Sequence, residues 1–288
     1  MTVALAIKVH DGLVLATDSA TTIGWTNTET GIQVANSVYN NANKMVNLHR
    51  DLPIGLMTWG LGNVGQQSIS TLAKEIRRRL QGENPRFPEW SLDSDSYTIK
   101  EVADKVRIFL HDEMLSEQVK TSGPLVDLGV FIGGFSSDSI SVESYSLTTN
   151  GMICAGPDAT LTEEFGAVWY AQGEAISRLV LGFSQGTEQA LLTLGVSATD
   201  APAYVDALKK IVHRPLIAAP MPIQDVIDLA IFLVDASIKF TRFSPGYDTV
   251  GGPIEVAAIT RHEGFKWINR KHYYSAELNP NRSKSYGE

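Results

Sequence analysis

MTVALAIKVHDGLVLATDSAT, residues 1 to 21, decides how this chain is read. Thr2 to Val9 alternates Val3, Leu5, Ile7 and Val9 on one face, the period-2 signature of a strand with one face buried. Asp11-Gly12 is a hairpin turn pair, because its residues tolerate the positive φ that a tight two-residue turn demands. Leu13 to Thr17 then runs back along the first strand and returns Asp18 to the neighbourhood of Thr2. An apolar strand that starts at residue 2 is expected to be held in a sheet rather than to fray.

Composition sets the class. The chain has 288 residues, of which 43 % are apolar, enough for a single large core. A net charge of -8 argues against binding driven by nucleic-acid phosphates or anionic lipid, which needs a dense basic face. The one basic run, Arg77-Arg78-Arg79, fits a solvated helix face. A single cysteine, Cys154, excludes an internal disulfide and fits a reducing, cytoplasmic setting. No apolar run approaches the ~18 residues of a membrane helix. Lys8, His10 and Asp11 interrupt the first apolar run, so no signal peptide is expected.

Further along, Ile23 to Asn43 is polar and reads as a loop or a poorly packed strand pair. Pro53 to Trp59 is a short strand, and Asn63 to Leu80 sets Ile69, Leu72, Ala73, Ile76 and Leu80 on one helical face. Thr98-Ile99-Lys100-Glu101 has capping-box spacing and opens a second helix. Strands are expected at Leu125 to Phe135, Ser139 to Leu147 and Phe165 to Ala171, followed by helices from Glu174, over Thr187 to Leu194, Pro202 to Val212 and Gln224 to Phe240. Pro253 to Ile259 and Phe265 to Ile268 are the last strands, and 269–288 reads as a polar tail behind one domain of residues 1–268. Strand runs separated by helix pairs do not build single-helix crossovers. The expected class is therefore α+β, with two stacked sheets between helical layers.

Thr2 has a chemistry that an internal threonine lacks. If Met1 is removed, its α-amine, with an ordinary pKa of about 7.7 to 8.0, lies beside its own hydroxyl and can act as general base for Oγ. Asp18 at the far end of the hairpin needs a cationic partner, and Lys44, opening the next ordered segment, can supply it. A charged lysine near Oγ favours the developing alkoxide. Gly60-Leu61-Gly62-Asn63-Val64-Gly65 matches a dinucleotide fingerprint, but no parallel strand ending in an acid follows at the required distance. The six histidines are scattered without ligand spacing, so neither metal nor cofactor is expected.

These residues carry a family resemblance. Thr2-Val3-Ala4 followed by Asp11 to Thr21 resembles the opening of mature proteasome β-type subunits and of the bacterial protease HslV, and Asn43-Lys44-Met45 resembles their lysine segment. Met57-Thr58-Trp59-Gly60 resembles the strand end before their first helix, and Asp248 to Ile259 resembles their penultimate strand with its preceding acid. Gly173 to Leu179 and Val250 to Ile254 are most similar to Anbu, the bacterial proteasome homologue.

The resemblance implies an N-terminal nucleophile hydrolase with a four-layer αββα sandwich, cleaving peptides or unfolded proteins inside a homo-oligomeric ring or open-ring assembly. An ATP-dependent unfoldase is an implied partner. Carried over, Thr2 is the nucleophile and its amine the base, Lys44 stabilises the alkoxide, Asp18 orients Lys44, the Gly60 amide donates to the oxyanion and Asp248 supports the terminus. Two positions depart from the family pattern: Gln172 and Gly251 stand where supporting serines are expected. A silent structural subunit and an acyl-transferring peptide ligase are the alternatives that share this fold.

Overall fold

The first hairpin pairs β1 (Val3–Val9) with β2 (Gly12–Thr17), with Ala4 opposite Thr17 and Val9 opposite Gly12. This computed structural model describes residues 2–26, 33–123, 125–245 and 250–271. Every residue of both strands is buried. Val3, Leu5, Ile7 and Val9 face one core cluster, as the alternation predicts, while Ala4 and Ala6 face another. The hairpin is thus covered on both sides, and the small alanines let a second layer approach it closely.

β3 (Thr21–Thr26) and β4 (Gln33–Tyr39) pair only with each other among the described residues, the strand-pair form of the expected polar stretch. β5 (Met45–Asn47) pairs with β6 (Ile54–Gly60). After Gly60, β7 (Asn63–Val64) and β8 (Gln67–Ser68) make a tiny hairpin, and α1 (Ile69–Leu80) begins only at Ile69. Ser68 sets that start by accepting the Thr71 amide, a side-chain N-cap. Thr98 caps α2 (Ile99–Arg107) in the same way through the Glu101 amide. The Glu101 carboxylate pairs with Lys105 at 2.7 Å, so only half of the capping box forms. The helix continues as a π-helical stretch, Ile108–Leu115, into α3 (Ser116–Ser122).

β9 (Leu128–Gly134), β10 (Glu143–Thr149), β11 (Cys154–Ala159) and β12 (Gly166–Ala171) follow. Then come α4 (Glu174–Val180), α5 (Thr187–Thr193), α6 (Ala201–Val212) and the long α7 (Ile223–Arg242). α5 buries no residue and α6 only Ala201, so this pair stands outside the core. β13 (Glu255–Thr260) and β14 (Gly264–Asn269) close the described fold.

One sheet has the order β12-β1-β2-β13-β14 and the other β11-β10-β9-β6-β5, with every neighbour antiparallel. Three core clusters locate the packing. Ile176 and Val180 of α4, with Val226, Ala230 and Leu233 of α7, pack on the first sheet. Residues of α1 and α2 pack on Ile54, Leu56, Val130 and Ile132 of the second. Ala4, Ala6, Leu13, Leu15 and Ile259 of the first sheet meet Met45, Met57 and Phe131 of the second in the third cluster. The GxGxxG match leads from β6 to an antiparallel β9 rather than to a parallel strand, so it has no dinucleotide-binding context. Of residues 269–288, Asn269 ends β14 opposite Val256 and Lys271 is buried; 272–288 lie outside the described residues.

Candidate active site

Asp18 is the hub. It follows the last residue of β2 and is fully buried. Its Oδ1 accepts the Val3 amide at 3.1 Å and the Lys44 ammonium at 2.7 Å. Its Oδ2 accepts the amides of Ala20 and Gly251, at 3.1 and 3.0 Å. All four partners are donors, the pattern that satisfies a carboxylate and that a neutral amide could not satisfy. A single oxygen therefore ties the residue next to Thr2 to the lysine, a juxtaposition set by the hairpin register.

Thr2 is buried ahead of β1, and its carbonyl accepts the Gln172 amide at 2.8 Å. That bond depends on Ala171, which pairs with Val3 and then turns with φ of 62°, the left-handed region that an alanine rarely adopts. Such strain persists where the surroundings over-determine it, and here it places an amide on the carbonyl of residue 2. Thr17 Oγ1 donates to the Val3 carbonyl at 2.9 Å and fixes the same strand end from the other side.

Lys44 directly precedes β5, and its carbonyl accepts the Thr58 amide of β6 at 2.8 Å. Burial pushes the Lys44 ammonium below the ordinary lysine range, and the Asp18 carboxylate opposes that shift. Gly60 ends β6 two residues beyond Thr58, with φ of 84°. A Cβ there would stand 2.0 Å from the Asp127 carbonyl, so only glycine fits. Next to it, Trp59 stacks on Tyr170 of β12 with ring centroids 4.0 Å apart and joins the two sheets beside the site. Asp248, expected to support the terminus, lies outside the described residues. Gly251, where the family pattern has a serine, contributes its backbone amide to Asp18 instead of a hydroxyl.

No family model matches the chain, and no curated protein matches it. Among solved structures, it is similar to Anbu (ancestral beta-subunit) from Yersinia bercovieri. The two are 11 % identical over 94 % of this chain and 88 % of that chain, with a TM-score of 0.49.

Sequence reasoning did not find the Ala20 and Gly251 amides, the Ala171 turn or Lys271, which is buried beside Ser19. Backbone donors leave no residue signature, and Lys271 sits in a stretch whose composition reads as solvated. A concavity of about 740 Å³ lined by Lys8, His10, Phe135, Glu163 and Arg261 opens at the turn end of β1, away from Thr2. No helix among the described residues is long and apolar enough to cross a membrane.

Proposed function

We propose that the protein is a threonine-type hydrolase that cleaves peptide bonds with Thr2 as nucleophile, once residue 1 has been removed. The observation that carries this reading is Asp18 Oδ1, which binds both the amide after Thr2 and the buried Lys44 ammonium. In the reaction, the Thr2 amine takes the Oγ proton as Oγ attacks the carbonyl carbon of the scissile bond. Lys44, held by Asp18, lowers the energy of the negative charge passing through Oγ. The Gly60 amide is assigned to the oxyanion of the tetrahedral intermediate, a donor of a kind typically worth ~3 to 4 kcal/mol of barrier. The intermediate collapses with the proton passing to the leaving amine. Water then attacks the acyl ester, releases the acid and restores the hydroxyl.

The three core clusters support reading the fold as a four-layer αββα sandwich. On the same reading, the chain works as a homo-oligomer on peptides or unfolded proteins in the cytoplasm, with an ATP-dependent unfoldase as the partner that feeds it. Asp248 is assigned to support of the amine. The test is peptide cleavage by wild type and by Thr2→Ala, with the assembly state of each followed by light scattering. Loss of cleavage with assembly unchanged is expected; full activity in the variant would overturn the assignment. Product masses with an added amine separate hydrolysis from ligation.

A further inference from the structure

Behind the Asp18–Lys44 pair lies a second buried pair. Lys271 Nζ stands 2.9 Å from Glu255 Oε2, and both side chains are at least nine-tenths buried. The same ammonium donates to Ser19 Oγ and to the Ala42 carbonyl, each at 2.6 Å. Ser19 adjoins Asp18, and Ala42 lies two residues before Lys44. The two segments also bond directly, since the Ala42 amide donates to the Ser19 carbonyl at 2.9 Å. Ser19 is fixed in turn by its hydroxyl, which donates to the Pro253 carbonyl at 2.6 Å, and by its amide, which donates to the Gly251 carbonyl at 2.9 Å. Lys271 thus donates to the two segments that carry Asp18 and Lys44 and pairs by charge with Glu255 of β13.

Burying a second ion pair is a poor route to stability, because desolvation offsets much of the attraction and apolar residues of equal volume serve as well. Its position suggests another use. We propose, on the hydrolase reading above, that Lys271 is a positioning residue for Lys44: it clamps the Asp18 and Lys44 segments together and, with Glu255, sets the charge that Lys44 faces. Among the described residues, the charges of Asp18, Glu255 and Lys271 act on Lys44, and those of Glu255, Asp18 and Arg270 act on Lys271. Lys271 repels the Lys44 proton and Glu255 retains it, so the two side chains act on Lys44 with opposite sign.

The opposite signs supply the test. In Lys271→Met, kcat should fall about 100-fold, the cost of a small misplacement at a reacting centre, and the alkaline limb of the pH profile should move up. In Glu255→Gln the limb should move down. The double variant Lys271→Met/Glu255→Gln, which removes both charges, should return the limb towards wild type while kcat stays low, because the clamp is still missing. Variants that keep kcat within about twofold of wild type, or limbs that move the same way in both single variants, would overturn the proposal. Thermal unfolding checks that each variant folds, and if Lys271→Met does not, Glu255→Gln and the double variant still decide the sign. If wild type shows no Thr2-dependent turnover, the hydrolase reading fails by itself. The clamp is then read from NMR titration of the Lys44 side chain in wild type and the same variants, with the same signs expected. A Lys44 resonance that titrates identically in all of them overturns the clamp.

Discussion

Replacing Asp18 by asparagine keeps the shape of the side chain and removes its charge, and the structure allows the cost to be worked out. The carboxylate accepts four donors, Val3, Lys44, Ala20 and Gly251, two on each oxygen. An asparagine carbonyl can serve one side of this set. Its NH2 group then confronts two donors on the other side, and either the Val3 amide with Lys44 or the Ala20 and Gly251 amides lose their acceptor. Each orphaned buried N–H costs about 1–3 kcal/mol, and a buried ion pair that loses one partner costs about 3–5 kcal/mol. These penalties overlap, so the expected loss for Asp18→Asn is about 3–5 kcal/mol, a large part of the ~5–15 kcal/mol that holds a domain folded. Urea denaturation followed by tryptophan fluorescence measures it. Adding Lys44→Met to Asp18→Asn should recover part of the loss, because it removes the stranded ammonium. A loss below about 0.5 kcal/mol, the range of an ordinary surface change, would refute the reasoning, as would a double variant less stable than Asp18→Asn by the full single-variant cost of Lys44→Met.

Three further outcomes are expected. Burial lowers the Lys44 affinity for its proton, so the charged form is lost, and activity with it, as pH rises through a value below the ordinary lysine range; a pH profile with no alkaline fall before that range contradicts the assignment. Gly60→Ala forces a Cβ against the Asp127 carbonyl at positive φ and should cost about 1–3 kcal/mol of stability while abolishing cleavage, read by denaturation and peptide assay. Trp59→Ala removes the ring stacked on Tyr170 between the sheets and should cost about 3 kcal/mol, with a matching fall in thermal midpoint.

The hairpin was legible from its strand period, since Val3, Leu5, Ile7 and Val9 face one way; the turn itself falls one residue earlier than expected, at His10-Asp11, with Gly12 already in β2 opposite Val9, and this register returns Asp18 to Val3. Burial of the opposite face was not legible, since Ala4 and Ala6 signal little until another sheet packs on them. β11 escaped because Gly156 and Pro157 break a strand pattern, which an edge strand tolerates. The start of α1 was read too early because Asn63 to Ser68 is polar enough for a helix face, yet forms a hairpin before the Ser68 cap. Lys44 could be proposed as the partner of Asp18 because a buried carboxylate needs a cation. Lys271 could not, because Ser19 and Ala42 lie far away in sequence and Glu255 comes beside it only when β14 lies along β13.

The central assignment is the nucleophile. Incubation with a threonine-directed electrophile, followed by intact mass and peptide mapping, reads the state of residue 1 and the site of modification together. The expected result is a chain lacking Met1, with one adduct on Thr2 that is absent from Thr2→Ala and slowed in Lys44→Met. A chain that retains Met1 and takes no adduct on Thr2 would contradict it.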